Sequence, residues 1–168
     1  QYFKYFGIID NLKLQKLDER GFDHFHFSDG TSYCHAMGYE RFVETLSEAF
    51  PKERENLRNF SKAIQHVGSF ISPEILRSGK ISNGGIEHLS LSAYNEIEKH
   101  VKDERLRMVL AGNCGLFAGD KLKSSFYEYG MITHSNIEGA YAFADGSQQI
   151  ADLLTAEIKA NGGEVLLN

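Results

Sequence analysis

The clearest structural signal in this chain is the stretch HFHFSDGTSYCHA, residues 24–36, in which side-chain character alternates on both sides of Asp29-Gly30. Alternation predicts strands whose successive side chains point to opposite faces, and Asp-Gly is a strong signal for a two-residue hairpin turn. Such a turn pairs Phe25 with Cys34 and His24 with His35. One predicted face carries Phe25, Phe27 and Cys34, and the other carries His24, His26, Tyr33 and His35.

From Tyr39 the apolar spacing changes to three or four residues, which is the period of an amphipathic helix. Pro51 separates a helix over 39–50 from a second one, because proline can end one helix and start the next. Ser125 and Glu128 form a capping box. Further helices are predicted at 2–6, from Ser72-Pro73 to about 78, and at 92–101, 103–111, 125–136 and 147–160. Extended segments are predicted at 13–18, 139–143 and 164–168. Residues 79–85 are predicted to form a polar loop. This pattern predicts an α+β fold, helix-dominated with a small antiparallel sheet.

Composition excludes several classes of protein. The chain has 168 residues, 42% hydrophobic and 24% charged, with a formal net charge of -5. This length fits one domain with its own core. An acidic chain argues against nucleic acid as a partner, and the lack of an apolar run of about 18 residues argues against a membrane span. No N-terminal segment has the layout of a secretion signal, so we expect a cytoplasmic location with Cys34 and Cys114 as reduced thiols.

Two local patterns leave a binding role open. His24, His26 and His35 could hold zinc, or they could form the polar outer face that a half-exposed hairpin needs. Gly146-Ser147 at a helix start could cradle an anion, or it could be an N-cap in a tight turn, which the neighbouring carboxylate of Asp145 favours. No G-x-G-x-x-G, G-x-x-x-x-G-K-[ST] or G-x-S-x-G motif occurs. The residues alone therefore predict no catalytic group and no metal.

The most specific pattern is GAYAFADGSQQIADLL at residues 139–154, followed by NGGEV at 161–165. It resembles the middle of the FAD-dependent phytoene desaturase, carotenoid isomerase and retinol saturase family. In that family Gly-x-Tyr-x-Pro-x-Gly-Gly precedes a helix, and Gly-Gly-Glu-Val then opens a strand. The segments at 29–31, 50–53 and 103–112 are similar to family segments in the same order. The resemblance thus spans essentially the whole chain.

Two positions depart from the family pattern. Phe143 stands where the family commonly has Pro, and Asp145 replaces the first Gly of the Gly-Gly pair. Aspartate adopts the left-handed backbone conformation more readily than most residues, so we expect the turn to survive at Asp145.

The resemblance implies that residues 1–168 are a single substrate-binding domain excised from a longer chain, the substrate domain of an amine-oxidase-like flavoenzyme. FAD would be bound by flavin-binding segments on both sides and not by this fragment, which alone would be inactive. The parent would transfer hydride between flavin and a long apolar substrate such as a polyene. The implied substrate-binding residues are Tyr141 and Phe143 near the flavin-side end of the sheet, and Phe126, Tyr129 and Met131 lining the cavity.

A second hypothesis comes from another class of protein. The chain contains 12 Phe and 8 Tyr, which suits a stand-alone, non-catalytic helical module that binds a hydrophobic ligand or a protein partner. A G-x-G-x-x-G unit upstream in the parent gene would argue against this alternative, because such a unit binds the flavin dinucleotide.

Overall fold

The computed structural model describes residues 2–70, 87–117, 119–121 and 123–166. These residues divide into two compact units. The smaller unit is formed by residues 2–17 together with 141–166, and the helical unit consists of the described residues from 18 to 140. In chain order, the helical unit is therefore an insertion between the two halves of the smaller unit.

The described chain is helix-dominated, with strands only in short antiparallel pairs, as the sequence predicts. In chain order the elements are α1 (Tyr2–Tyr5), β1 (Leu14–Lys16), β2 (Asp23–His26), β3 (Ser32–His35), α2 (Tyr39–Ala49), α3 (Arg54–Gly68), α4 (Ala93–His100), α5 (Glu104–Ala111), α6 (Phe126–Glu138), β4 (Tyr141–Phe143) and α7 (Gln148–Ala160). Short 3-10 helices occupy Ile9–Asn11, Pro51–Glu53 and Gly112–Phe117. The strands form two separate two-stranded sheets, β1 with β4 and β2 with β3.

Several predicted helix ends are confirmed by their capping contacts. The Asp103 side chain accepts a hydrogen bond from the backbone N–H of Leu106 at 3.0 Å, and Ser125 Oγ accepts one from Glu128 at 3.1 Å. Each contact satisfies a backbone donor that has no partner within its own helix. Gly7 closes α1 with φ +72, the left-handed conformation that glycine adopts without steric cost.

The core of the helical unit is built around α3, which packs against α2, α4 and α6. Phe60 on α3 lies beside Phe126 and Tyr129 on α6, with ring centroids 6.4 and 6.2 Å apart. The larger buried core residues of this unit are Phe42, Leu46, Leu57, Phe60, Ile64, Ile97, Leu106, Leu110, Phe126, Tyr129 and Ile137. They come from the apolar stripes of five helices, which explains why these helices need one another to form.

Two glycines allow α3 and α6 to approach closely. A Cβ atom at Gly130 would lie 2.9 Å from Cγ1 and 3.0 Å from Cβ of Val67. A Cβ atom at Gly68 would collide with the imidazole ring of His134. Neither glycine has a positive φ, so both positions need the absence of a side chain rather than an unusual backbone conformation.

The β2–β3 hairpin forms, but its predicted register is wrong by one residue. His24 pairs with Cys34 and Phe25 pairs with Tyr33. A shift of one residue turns a whole strand over, because side chains alternate between faces. The core-directed face therefore carries Phe25, Phe27, Tyr33 and His35, and the outer face carries His24, His26 and Cys34.

The reason for this register lies in the turn. Phe27 donates its N–H to the carbonyl of Thr31 at 2.9 Å, which leaves the three residues 28–30 in the loop. Gly30 has φ +85, as the last residue of such a loop requires. The Asp29 carboxylate accepts hydrogen bonds from the N–H of Thr31 at 3.0 Å and from its hydroxyl at 2.6 Å. Arg105 on α5 then holds Asp29 through an ion pair of 2.6 Å.

Other predictions fail locally or lie outside the described residues. Residues 164–166 form no strand. Helix α5 ends at Ala111 as predicted, and a 3-10 helix follows it directly at Gly112–Phe117. The helix predicted from Ser72-Pro73 and the loop predicted at 79–85 lie outside the described residues. Among the described residues, no helix combines the length and apolar character needed to cross a bilayer.

Candidate functional site

The smaller unit presents an apolar face on the β1–β4 pair. Leu14 lies opposite Phe143, and Lys16 lies opposite Tyr141. Because opposed residues and alternate residues share a face, Leu14, Lys16, Tyr141 and Phe143 lie on one face, where the lysine borders the three apolar side chains. Phe3 meets Phe143 edge-on with ring centroids 6.2 Å apart. Tyr141 is 55% exposed, so two of the predicted substrate-binding residues share a face that is open to solvent.

The turn from β4 into α7 has an unusual backbone. Asp145 has φ +68 and Gly146 has φ +91, so two consecutive residues adopt the left-handed region. Asp145 is the one residue other than glycine with a positive φ in the described chain. The expectation that aspartate would tolerate this turn is confirmed. Ser147 occupies the N-cap position of α7, but its side chain accepts no capping hydrogen bond.

Gln149, rather than Ser147, makes the side-chain hydrogen bonds that stabilise this turn. Its Nε2 donates to the carbonyls of Ala144 and Gly146, both at 2.7 Å. Its Oε1 accepts the N–H of Lys13 at 2.7 Å, which ties the turn to the segment leading into β1. Sequence reasoning missed this role, although a glutamine in the first turn of a helix is a recognisable capping signal.

The apolar side of α7 is only partly covered. Ile150, Leu153 and Leu154 are half-buried, Ile158 is 43% exposed, and no residue of this helix is fully buried. Together with the β1–β4 face, these four side chains leave the smaller unit with exposed apolar surface of the kind that ligands or other protein segments cover.

The other three predicted substrate-binding residues lie in the helical unit. Phe126 and Tyr129 are 1% and 0% exposed and pack against Phe60 in the core. The Tyr129 hydroxyl donates to the carbonyl of Leu110 at 2.8 Å, and burial raises the pKa of this phenol. Met131 is half-buried against the same core. In the described chain these side chains contribute to packing, and a substrate-lining role for all five residues stays a prediction.

The zinc hypothesis for His24, His26 and His35 does not survive the observed register. His35 is 2% exposed on the core-directed face, whereas His24 and His26 lie on the outer face with stacked rings 6.3 Å apart. His24 Nε2 instead lies 3.1 Å from the carbonyl oxygen of Gly21. Within the ranges that the structure describes, no group of three His, Cys, Asp or Glu side chains is placed to hold a metal ion.

The two cysteines are free and half-buried. Burial raises the pKa of the Cys114 thiol. Burial is also the largest cause that raises the pKa of Cys34, followed by the negative charges of Asp18 and Glu48. A raised pKa keeps more of each thiol protonated at neutral pH, which lowers its reactivity as a nucleophile.

Comparisons of this chain with protein-family models, with curated proteins and with solved structures found no match. A functional proposal therefore depends mainly on the geometry of the β4–α7 turn and of the apolar face beside it.

Proposed function

We propose that this chain is the substrate-binding part of a larger FAD-dependent oxidoreductase that acts on a long apolar substrate such as a polyene. One observation carries the proposal. The backbone is left-handed at Asp145 and Gly146, the two positions where the family pattern has Gly-Gly. Glycine adopts the left-handed region most readily, so the backbone of this turn is one that the Gly-Gly pair of the family pattern could also form.

The chain order of the two units supports the same proposal. The helical unit is inserted into a smaller unit whose halves flank it. A substrate domain that interrupts a flavin-binding chain needs this arrangement, because the segments on both sides must return to one neighbouring domain.

The open apolar face of the smaller unit suits a substrate rich in carbon and poor in polar groups. Tyr141 offers an aromatic ring and a hydroxyl that can orient a ligand, while Leu14 and Phe143 offer apolar contact. The contribution of this chain would be to bind and orient the substrate and to exclude water from it.

The start of α7 does not suit the phosphates of FAD. The start of α7 is preceded by the carboxylate of Asp145, which is exposed and opposes an anion at that helix end. We therefore assign flavin binding to other segments of the parent protein and derive no chemical step on this chain.

The test is to purify the longer protein that contains this chain and to compare its Tyr141→Ala and Tyr5→Ala variants. The expected protein is yellow, and anaerobic addition of a polyene changes the oxidation state of its flavin. Tyr141→Ala should raise the KM for the polyene about tenfold, through lost aromatic burial, without changing flavin content. Tyr5 is 82% exposed on α1, so its substitution is a matched control that should leave KM unchanged.

Two results would contradict the proposal. One is a parent protein without flavin, which would favour the stand-alone module that binds a hydrophobic ligand or partner. The other is stoichiometric FAD binding by the isolated 168-residue chain, which would place flavin binding within it.

A further inference from the structure

The helical unit contains a cleft between α2 and α3 that the proposed function does not use. Its volume is about 260 Å³, the size of a small organic molecule rather than of a protein segment. The helices are joined by the short 3-10 segment Pro51–Glu53, and residues of both helices line the cleft. The lining residues are Tyr39, Glu40, Val43, Glu44, Arg58, Ser61, Lys62 and Gln65.

The two walls of this cleft carry opposite charges. Glu40 and Glu44 are four residues apart on α2, and Arg58 and Lys62 are four residues apart on α3, so each pair projects from one face of its helix. Glu40, Glu44 and Lys62 form no ion pair with any residue in the described part of the chain. The cleft thus separates its acidic and basic walls without neutralising them.

The fourth charge is only loosely engaged. Arg58 lies 3.4 Å from Glu55 on its own helix, and both side chains are more than half exposed. An exposed pair of this kind contributes little energy and can rearrange when a better anion is present.

The floor and one end of the cleft are firmly held. Val43 and Ser61 are buried, and Ser61 Oγ donates to the carbonyl of Arg58 at 2.9 Å. At the end, the Tyr39 hydroxyl is hydrogen-bonded to Nδ1 of His134 on α6 at 2.7 Å. A ligand would therefore meet fixed surfaces below and at one end, with exposed charged side chains on the two walls.

We propose that the α2–α3 cleft binds a small zwitterion of the amino-carboxylate class. Its ammonium group contacts Glu40 and Glu44, and its carboxylate contacts Lys62 and Arg58. Bridging the two walls satisfies charges that the protein leaves apart, whereas a ligand with a single charge contacts one wall and leaves the other unchanged. Exposed charge pairs are individually weak, so we expect a dissociation constant on the order of a millimolar.

The experiment is an NMR titration of the ¹⁵N-labelled 168-residue chain with a series of ω-amino acids from glycine to 6-aminohexanoate. The expected result is a set of amide shift changes concentrated in 39–44 and 58–65, with one chain length bound best. Hexylamine and hexanoate, which carry one charge each, should bind at least about fivefold more weakly. Added salt should weaken binding, since the contacts are exposed.

Variants separate wall chemistry from general surface charge. Glu44→Gln and Lys62→Gln should each weaken binding about fivefold. Glu48→Gln changes an exposed acid on the same helix that does not line the cleft, and it should have no effect. Equal binding of hexylamine or hexanoate, unchanged binding in both wall variants, or no localised shift at tens of millimolar ligand would each overturn the proposal. None of these readouts depends on flavin or on the parent protein, so the outcome is independent of the proposed oxidoreductase function.

Discussion

Glu53 and Arg107 bind the same short loop. Glu53 accepts hydrogen bonds from N–H groups of the loop, and Arg107 donates hydrogen bonds to carbonyls of the loop. Glu53 Oε1 accepts the backbone N–H groups of Lys102 at 3.0 Å and of Asp103 at 2.8 Å. Arg107 donates from Nε to the carbonyl of Val101 at 2.8 Å and from a terminal nitrogen to that of Lys102 at 3.1 Å. The connection between α4 and α5 is therefore fastened by two charged side chains, one of which, Glu53, is only 6% exposed.

Removing the Glu53 carboxylate should be costly for stability. Glu53→Ala leaves the N–H groups of Lys102 and Asp103 without their acceptor, and we expect a loss of about 2–4 kcal/mol in the free energy of unfolding. Glu53→Gln keeps an acceptor oxygen and should lose less. Urea unfolding followed by circular dichroism measures both. Glu55→Ala, at a side chain 71% exposed, is the control, and a loss as large as that of Glu53→Ala would contradict the assignment.

Gly130→Ala tests the close approach of α3 and α6. Alanine is normally preferred over glycine inside a helix by about 1 kcal/mol, but here its Cβ meets Val67 at 2.9 Å. We expect destabilisation of about 1–3 kcal/mol, because the β-branched valine cannot rotate its own Cβ away. Gly115→Ala is the control, since a Cβ there meets nothing within 4 Å.

The double variant Gly130→Ala with Val67→Ala provides the decisive comparison. It should lose less stability than the sum of the two single losses, because the methyl added at 130 enters space vacated at 67. Additive losses would show that the contact between these two residues does not limit the helix approach.

Substitutions at Asp145 should separate backbone conformation from side-chain chemistry. At φ +68, Asp145→Ala should destabilise the β4–α7 turn by about 1 kcal/mol, whereas Asp145→Gly should be neutral or stabilising. The ion pair with Lys13 is lost in both variants and is exposed, so it contributes little to either. Amide hydrogen exchange in 148–152 reports on the turn, and equal protection in the two variants would contradict the argument.

His35 should make the chain sensitive to acid. Burial lowers the pKa of His35 to about 3, and its ring lies among Phe25 and Phe42 with centroids 4.6 and 5.2 Å away. The unfolded chain takes up a proton at this residue near pH 6.5, while the folded chain does not. Stability is therefore fully present above about pH 6.5 and falls by up to about 1.4 kcal/mol per pH unit below it.

His35→Phe should flatten the loss of stability between about pH 7 and pH 4.5, and the exposed His26→Phe should not. Asp29 acts in the same direction but in a lower range. Hydrogen bonds from Thr31, aided by Arg105, lower the pKa of Asp29 to about 2, so its effect begins only below about pH 4. An unchanged pH profile in His35→Phe would exclude His35 as the source.

Both cysteines should react slowly with thiol reagents. Their raised pKa values mean that less thiolate is present at neutral pH than in a free cysteine. We expect alkylation by iodoacetamide at least about tenfold slower than that of free cysteine under the same conditions, rising as the chain is unfolded by urea. Fast alkylation of the folded chain would contradict the observed burial.

Local patterns predicted the elements well because their signals lie within a few residues. The Ser125 cap, the helix start at Asp103 and the left-handed Asp145 are examples. The hairpin register could not be obtained in this way. Asp29-Gly30 is compatible with both two- and three-residue loops, and the choice depends on contacts of Asp29 with Thr31 and with the distant Arg105.

The residues of the candidate site also differ in whether a local pattern could predict their position. Tyr141 and Phe143 could be placed on one face from their alternation alone. Phe126 and Tyr129 could not be assigned, because an aromatic stripe on a helix reads the same whether it meets a ligand or another helix. Their burial is determined by Phe60, whose position depends on the packing of α3 against α6.

The insertion of the helical unit also sets an order of assembly. During synthesis β1 emerges early, but its hydrogen-bonding partner β4 follows only after the whole of residues 18–140 has been made. The core of the helical unit consists of residues between Phe42 and Ile137, so this unit can fold before β1 has paired with β4. That collapse brings the two flanking segments within reach of each other and shortens the effective loop that β1 and β4 must close. Folding of the inserted unit thus lowers the entropic cost of pairing the two strands that carry Leu14 and Tyr141.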